Sequence, residues 1–260
     1  MARSTFYYHI KRSSVPDKYE DIRNQMIAIY HFHKGRYGCR RITAELRNRD
    51  IIINHKTVEK LMQESGIKCK IRIKKYRSYR GKISSIAPNI LKRNFNSEAP
   101  NKKWTTDLTE FALFGKKIYL SPIMDLYNRE IISYAISDHP NLHLVETMLK
   151  TALDKISNGT GLILHSDQGW HYHHTTYQSM LTQKGVIQSM SEKGNCLDNA
   201  AMESFFGTLK SELLYLQEFN SLEQFIYELK EYIDYYNNFR IKLKLKGMSP
   251  VQYRIHSYNY

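Results

Sequence analysis

The sequence contains few cysteines, three among 260 residues, and no apolar run of the roughly 20 residues that a membrane-spanning helix needs. Cys39, Cys69 and Cys196 do not have paired spacing, which argues against disulfides and a thiolate zinc site and indicates a reducing cytosol. The first residues also lack the apolar segment of a signal peptide. We therefore expect a cytoplasmic, globular protein with no membrane partner, and the hydrophobic content of 42% agrees with a folded chain.

Acidic residues are scarce in the first 100 positions, where 8 Asp and Glu stand against 23 Lys and Arg. The rest of the chain holds 17 acidic and 16 basic residues, so the net charge of +14 originates in the N-terminal part. An excess of cations in one part of a chain is typical of proteins that bind polyanions. The charge distribution predicts an N-terminal region that binds nucleic acid, attached to a nearly neutral C-terminal region.

Three amphipathic helices are predicted in the basic part. Apolar side chains recur at helical spacing from residue 17 to 34 and from 40 to 49, and Asn54 is a predicted cap for a helix over 55–65. The last two helices suit a helix-turn-helix that contacts DNA, although a plain helical hairpin gives the same pattern. The side chains expected to face the groove or the phosphates are His55, Lys56, Thr57 and Lys60.

The segment 66–82 carries eight Lys and Arg and no acid. Such a run is either a solvated linker or an arm that follows DNA phosphates, and Lys74 and Lys75 are candidate contacts in the second case. We predict a basic all-α region with its arm over 1–82, a linker over 83–100 and a larger domain over 101–260.

The larger domain has the pattern of a mixed α/β fold. Alternation predicts strands at 103–114, 118–126 and 130–137, which form a three-stranded meander. In a layered fold of this kind the first and fourth strands can lie side by side. The elements predicted after the meander are, in order, a helix over 141–156, a strand over 162–164, a helix over 176–184, a strand over 186–190, and helices over 199–215 and 221–237.

Three acids of this domain are candidate catalytic residues. Asp107 lies on the first strand, Asp167 follows the fourth strand, and Glu203 lies on a helix with 35 residues between it and Asp167. Converging carboxylates repel one another, which raises their pKa values unless cations lie between them. Carboxylate oxygens on an open site suit Mg²⁺ or Mn²⁺, and two such ions support phosphodiester displacement.

Other polar residues compete with this interpretation. We expect Glu110 to have a surface role or to support the metal ligands from behind, Asp125 to be an ordinary strand-end acid and Asp198 to cap the helix that carries Glu203. A histidine cluster near Asp167 does not have the spacing of a tetrahedral zinc site, so we interpret its members as polar loop residues beside a phosphate-binding cleft. These histidines are His165, His171, His173 and His174.

Several motifs resemble one known family, the transposases of the insertion-sequence-three group. The matching segments are WTTDLT at 104–109, HSDQG at 165–169, GN at 194–195, DNA at 198–200, ESFFGTLK at 203–210, YYNNFR at 235–240 and MSP at 248–250, with YGCRRI at 37–42 and NHKTV at 54–58 upstream. One position departs from the family, because Lys242 stands where the family usually has His.

The resemblance implies a ribonuclease-H-like core, shared with retroviral integrases, in which Asp107, Asp167 and Glu203 are the metal ligands. Lys210 lies seven residues after Glu203, about 700° around the helix, and so faces the same side and can reach a phosphate. The implied activity is metal-dependent cleavage of a transposon 3′ end and strand transfer, with two Mg²⁺ or Mn²⁺ ions.

The family also implies partners: transposon-end and target DNA, a homo-oligomer on DNA, and an upstream-frame product of the same element, all in the bacterial cytoplasm with the nucleoid. Three alternatives remain open. A ribonuclease-H-type or repair nuclease would use the same acids without strand transfer, a DNA-binding regulator would use only the basic part, and a glycosidase would use two carboxylates without metal.

Overall fold

The computed structural model describes residues 2–7, 17–71, 87–92, 94–192 and 199–258. The chain divides after Ile71 into an N-terminal unit and a C-terminal unit, each compact. The predicted boundaries at residues 82 and 100 stay predictions, and Lys74 and Lys75 lie outside the described residues.

The described part of the N-terminal unit includes the predicted helices α1 (Glu20–Phe32), α2 (Cys39–Arg47) and α3 (His55–Glu64). Asn54 caps α3, because its side chain accepts a hydrogen bond of 2.9 Å from the Lys56 amide. Each of these helices has at least one apolar side chain that is fully buried, and together these side chains form a shared core. Its central members are Met26, Ile29, Ile42, Leu46, Val58 and Leu61.

The C-terminal unit is built on a mixed sheet. Its long strand β3 pairs antiparallel with β4 on one side and with β1 and β2 on the other, which confirms the meander. Beyond β1 the sheet continues through β5 and β6, both parallel to β1. The strands are β1 (Lys103–Thr106), β2 (Thr109–Leu113), β3 (Lys116–Asp125), β4 (Ile131–Ser137), β5 (Ile163–Ser166) and β6 (Ile187–Met190).

The predicted single strand over 103–114 is wrong in one respect, because it is interrupted between β1 and β2. The Asp107 carboxylate accepts a hydrogen bond of 2.7 Å from the Leu108 amide. A side chain that binds the next backbone amide offers the chain a local alternative to the ladder. The interruption therefore falls at a candidate catalytic residue.

Two apolar layers cover the sheet. One contains Trp104 and Ile123 and packs against the helices between β4 and β6, and the other contains Leu120 and Met124 and packs against the C-terminal helices. Because side chains alternate along a strand, Ile123 and Met124 face opposite layers. The helices are α4 (Leu142–Leu153), α5 (Trp170–His173), α6 (Thr175–Lys184), α7 (Ala200–Leu209), α8 (Leu222–Asn238) and α9 (Pro250–Tyr258).

The predicted helix over 199–215 changes its winding before it ends. Helix α7 stops at Leu209, and a π-helical turn continues from Lys210 to Leu214.

Residues 87–92, inside the predicted linker, lie along β6. The Ile90 amide donates a hydrogen bond to Ser189 Oγ at 3.0 Å, and the Met190 amide donates one to the Pro88 carbonyl at 3.3 Å. Within the described ranges, no helix is long and apolar enough to cross a membrane.

Candidate active site

Parallel strands bring the first two acids to one edge of the sheet. Thr105 on β1 is paired with His165 on β5, and each strand then runs in the same direction for two more residues to Asp107 and Asp167. Asp167 is held by a local turn, because its Oδ1 accepts a hydrogen bond of 3.0 Å from the Gly169 amide. A Cβ atom on Gly169 would lie 3.1 Å from that oxygen, so the turn leaves little room for a side chain there.

Glu203 reaches the same region from the first turn of α7. The apolar side of α7 is buried against the sheet through Met202, Phe205 and Leu209, which leaves Glu203 half-buried. All three acids are half-buried, and their carboxylates have no ion-pair partner in the described part of the chain.

The electrostatics show that the acids share one neighbourhood. Burial raises the pKa of Asp107 well above its ordinary value, and repulsion by Asp167 and Glu203 raises it further, while the bond from the Leu108 amide and the charge of Lys210 oppose the rise. Burial likewise raises the pKa of Asp167 and of Glu203. A raised pKa means that the charged form is disfavoured until a cation arrives.

The donor set fits a hard divalent cation. Mg²⁺ is commonly bound by one or two carboxylates, with water and substrate phosphates supplying the other ligands. Among the residues described, no group of three His, Cys, Asp or Glu side chains is arranged so that it could hold one metal ion, so Asp107, Asp167 and Glu203 do not form a three-ligand site as they stand. Two of them, Asp107 and Asp167, come after paired strands at one edge of the sheet.

Lys210 is a cation whose charge acts on Asp107. It is half-buried at the end of α7, and its Nζ lies 5.5 Å from the centroid of the Phe111 ring. Burial lowers the pKa of Lys210, whereas the charges of Glu110 and Asp107 oppose that change. Glu110 itself is exposed and forms an ion pair of 3.2 Å with Lys117, in agreement with its predicted surface role.

The other rival acids have separate positions. Asp125 is fully buried at the end of β3, where its carboxylate accepts hydrogen bonds from the Asn101 amide at 2.8 Å and from Arg254 at 2.6 Å. It is a structural strand-end acid, as expected. Asp198, the predicted helix cap, lies outside the described residues.

The interpretation of the histidines as loop residues is wrong for His165, which lies on β5, and for His171 and His173, which lie on the short helix α5. His165 is a fully buried residue of β5 whose Nδ1 lies 2.9 Å from Ser189 Oγ. His171 is buried as well, and its Nε2 donates to the Pro140 carbonyl at 2.7 Å. His174 accepts a bond of 3.3 Å from the Thr176 amide at the start of α6. His171 and His173 still lie close enough to lower the pKa of Asp167.

Sequence reasoning missed Asn199 as a site residue in its own right. Its side chain is buried at the start of α7 and is bonded to Thr105 and Thr106 at the end of β1. An asparagine before a helix predicts a capping role, so no pattern in the sequence indicates a contact with a strand more than ninety residues upstream.

The predicted DNA contacts of the N-terminal unit lie on α3. His55, Lys56 and Lys60 are exposed and Thr57 is half-buried. Lys60 is partly engaged, because its Nζ lies 3.8 Å from a carboxylate oxygen of Glu64 one helical turn away.

Comparisons with known proteins agree with this architecture. Two models of the integrase core domain match residues 97–196 and 203–258, and a model of a helix-turn-helix-like domain matches residues 18–75. The chain superposes on the catalytic core domain of the HTLV-2 integrase with a TM-score of 0.50 at 18% identity, over 60% of this chain and 98% of that one. The C-terminal unit therefore has the ribonuclease-H-like fold, and the molecule is a DNA-binding polynucleotidyl transferase of the DDE class.

Curated relatives give the family. The chain is 52% identical over 256 residues to the putative transposase InsK for insertion sequence element IS150 of Escherichia coli, covering 98% of this chain and 90% of that protein. It is 38% identical to the transposase for insertion sequence element IS904 of Lactococcus lactis, covering 93% and 96% of the two chains, and 32% identical to transposase InsF for insertion sequence IS3A of E. coli, covering 97% and 90%. The chain belongs to the insertion-sequence-three family of DNA transposases.

Proposed function

We propose that Asp107, Asp167 and Glu203 hold two Mg²⁺ or Mn²⁺ ions and that this site cleaves a transposon 3′ end and then joins it to target DNA. The single observation that supports this is the parallel pairing of β1 and β5, which delivers Asp107 and Asp167 to one sheet edge within the electrostatic reach of Glu203. The structure of the HTLV-2 integrase core, whose fold the C-terminal unit shares, is of its complex with magnesium.

Each side chain has a defined task in this proposal. The three carboxylates would hold the ions in their deprotonated form, because a bound cation would offset the burial and the repulsion that raise the pKa of Asp107. Bound ions would supply activation of the attacking oxygen and stabilisation of the leaving oxygen. Lys210, whose charge acts on Asp107, binds a phosphate of the DNA next to the reacting one, and its Nζ lies 5.5 Å from the centroid of the Phe111 ring.

The N-terminal unit is proposed to bind the terminal repeats through α3 and the basic arm, with His55, Lys56, Thr57, Lys60, Lys74 and Lys75 as contacts. We propose further that two or more copies assemble on the transposon ends in the bacterial cytoplasm, associated with the nucleoid, and that an upstream-frame product of the same element takes part. The exposed cations of α3 support the first of these proposals.

The test replaces one carboxylate without changing its shape. Asp167→Asn in the full chain is expected to abolish both 3′-end cleavage and strand joining of a labelled transposon-end duplex in Mg²⁺, because a neutral amide is a far weaker ligand for a hard cation. DNA binding in a gel-shift assay is expected to stay near the wild-type level. Asp154→Asn, the same change at an exposed aspartate after α4, is the matched control and is expected to keep joining activity.

Joining that persists in Asp167→Asn would show that the metal-site assignment is wrong. The joined product also separates this function from a ribonuclease-H-type nuclease, which cleaves without joining. Loss of the product on addition of a chelator separates it from metal-free carboxylate chemistry.

A further inference from the structure

The buried amide of Asn199 joins the helix of one catalytic acid to the strand of another. Thr105 Oγ1 donates a hydrogen bond of 2.7 Å to Asn199 Oδ1, and Asn199 Nδ2 donates one of 3.2 Å to the Thr106 carbonyl. Only 4% of Asn199 is exposed, and Thr105 and Thr106 are fully buried. The Asn199 side chain therefore accepts one hydrogen bond from β1 and donates another to the next residue of the same strand.

This use of the side chain is unusual for its position. Asn199 precedes the first residue of α7, where asparagine normally accepts a hydrogen bond from a backbone amide of the first helical turn. Here the side chain makes no capping bond. The helix therefore gives up a local stabilising contact, and the amide is used to connect α7 to the sheet.

The connection lies next to all three acids. Thr106 is followed directly by Asp107, and Glu203 lies four residues after Asn199, about one helical turn and about 6 Å along the axis. Thr105 is paired with His165, two residues before Asp167. Any shift of the Asn199 amide against β1 changes the separation of Glu203 from the other two carboxylates.

The apolar contacts of α7 do not fix this separation by themselves. Met202, Phe205 and Leu209 hold the helix against the sheet, but apolar burial has no directional preference and tolerates small rotations and slides. Two hydrogen bonds from one planar amide to adjacent residues define both the height and the rotation of the helix start.

We propose that Asn199 is a positioning residue that sets the distance between Glu203 and the Asp107–Asp167 pair, and with it the affinity of the site for divalent cations. This inference rests on the proposed function, because it concerns the same three ligands. A group that orients metal ligands without touching the metal commonly changes affinity or activity about 10- to 100-fold when it is removed.

The experiment compares two helix-to-strand asparagines of the full chain. Asn237 is the matched control: its amide accepts from the Ile131 backbone amide at 2.9 Å and donates to the Ile131 carbonyl at 2.9 Å, so it ties α8 to β4 in the same manner but away from the acids. Mn²⁺ binding to Asn199→Ala, Thr105→Val and Asn237→Ala is measured through the electron paramagnetic resonance signal of the free ion, and thermal unfolding is followed in parallel.

We expect Asn199→Ala to weaken Mn²⁺ binding by about 10- to 100-fold and Thr105→Val, which removes only the hydroxyl donor, to weaken it about 10-fold or less. Asn237→Ala is expected to lower the unfolding temperature and to leave Mn²⁺ affinity within about twofold of the wild type, since Asn237 is bonded to Ile131 on a strand that carries none of the three acids. Mn²⁺ affinity in Asn199→Ala that matches the wild type or the Asn237→Ala control would overturn the inference.

Two additions keep the result interpretable. Should Asn199→Ala fail to fold, Thr105→Val decides alone, and unchanged Mn²⁺ affinity in that variant overturns the inference. Asp167→Asn is measured in the same assay: if it retains wild-type Mn²⁺ binding, the proposed metal site is wrong, whereas loss of binding in Asp167→Asn together with control-like behaviour of Asn199→Ala contradicts only the positioning role.

Discussion

Two groups of acids in the C-terminal unit differ in whether a neighbouring cation neutralises their charge. Glu212, on the π-helical turn, is 2% exposed and forms two short hydrogen bonds with Arg240, of 2.6 and 2.7 Å, and accepts a third from Tyr232. Asp107 and Asp167 lie half-buried at the sheet edge, and within the described residues their hydrogen bonds come only from nearby backbone amides. The charge of Glu212 is neutralised by Arg240, whereas the carboxylates of Asp107 and Asp167 each accept one backbone amide and have no ion-pair partner among the described residues.

The pKa values follow this division. Burial would lower the pKa of Arg240, but the charge of Glu212 holds it above its usual value, so the pair stays ionised. At the sheet edge burial and mutual repulsion raise the pKa of Asp107. Asp125 is intermediate, because burial raises its pKa while two backbone amides and Arg254 oppose the rise. Removing one partner of a buried ion pair leaves an uncompensated charge and destabilises the fold, whereas a perturbed pKa marks an acid as a candidate for chemistry.

The largest effect expected from this comparison is on joining activity in Asp107→Asn. Metal-ion stabilisation of a reacting phosphate contributes several kcal/mol, so loss of a ligand is expected to slow strand joining about 1000-fold or more. The free energy of unfolding without metal is expected to stay equal or to rise, because the amide removes a repelled, partly buried charge. Joining rates and urea denaturation of the same preparation measure the two quantities.

A marked loss of stability in Asp107→Asn would contradict the division, since it would mean that the charge supports the fold. Asn199 and the interrupted strand lie nearby, so a circular-dichroism spectrum equal to that of the wild type is the necessary control.

The second prediction concerns the paired acid. Glu212→Gln leaves the buried guanidinium of Arg240 uncompensated, and breaking such a pair by removing one partner typically costs about 3–5 kcal/mol. Urea denaturation is expected to show a loss of this size in the free energy of unfolding. At temperatures where Glu212→Gln is fully folded, its strand-joining activity is expected to equal that of the wild type, because Glu212 is not among the proposed metal ligands.

The double variant Glu212→Met with Arg240→Met is the control for this experiment. Replacing both charges by apolar side chains removes the unpaired charge, so we expect it to recover most of the lost stability. A single variant as stable as the wild type would show that the pair contributes little to the fold.

The sequence predicted that the first and fourth strands lie side by side, and β1 does pair with β5. Asp107 was predicted within the first strand, whereas it follows β1, so Asp107 and Asp167 both come after strand ends at one edge of the sheet. Their role as metal ligands stays a prediction. The helices of the N-terminal unit were predictable, since their apolar faces and the Asn54 cap depend only on near neighbours in the sequence.

Contacts between distant residues could not be predicted. The Glu212–Arg240 pair, the burial of His165 and the bonds of Asn199 to β1 join residues whose own segments contain no trace of the partner. The interruption at Asp107 was missed because alternation continues through residue 108 while a single side-chain bond redirects the backbone. Long-range polar contacts therefore decide how the site is held together.

A third prediction uses pH to separate the two groups. The folded-state pKa of Asp107 lies above that of an unfolded aspartate, about 3.9, so its contribution to stability is complete below that pH and is lost as the pH rises through the folded-state pKa. In metal-free buffer, Asp107→Asn is therefore expected to gain stability relative to the wild type as the pH rises from about 4 towards neutrality.

Chemical denaturation at a series of pH values measures this difference. Added Mg²⁺ is expected to stabilise the wild type more strongly as the pH rises, because the ligands must be deprotonated to bind. A constant difference between the two proteins across this range would mean that Asp107 ionises normally.

The smallest expected effect extends the comparison to the N-terminal unit, where two lysines of one helix differ in the same respect. Lys60 is paired with Glu64, whereas Lys56 has no ion-pair partner within the described ranges. If a lysine without an ion-pair partner is the one that binds a DNA phosphate, Lys56→Gln should weaken binding to all DNA sequences alike. On transposon-end DNA it should also reduce the slope of log affinity against log salt by about 1. Lys60→Gln should change the slope less, because Glu64 already offsets part of that charge, and equal changes would show that pairing does not decide which lysine meets the phosphates.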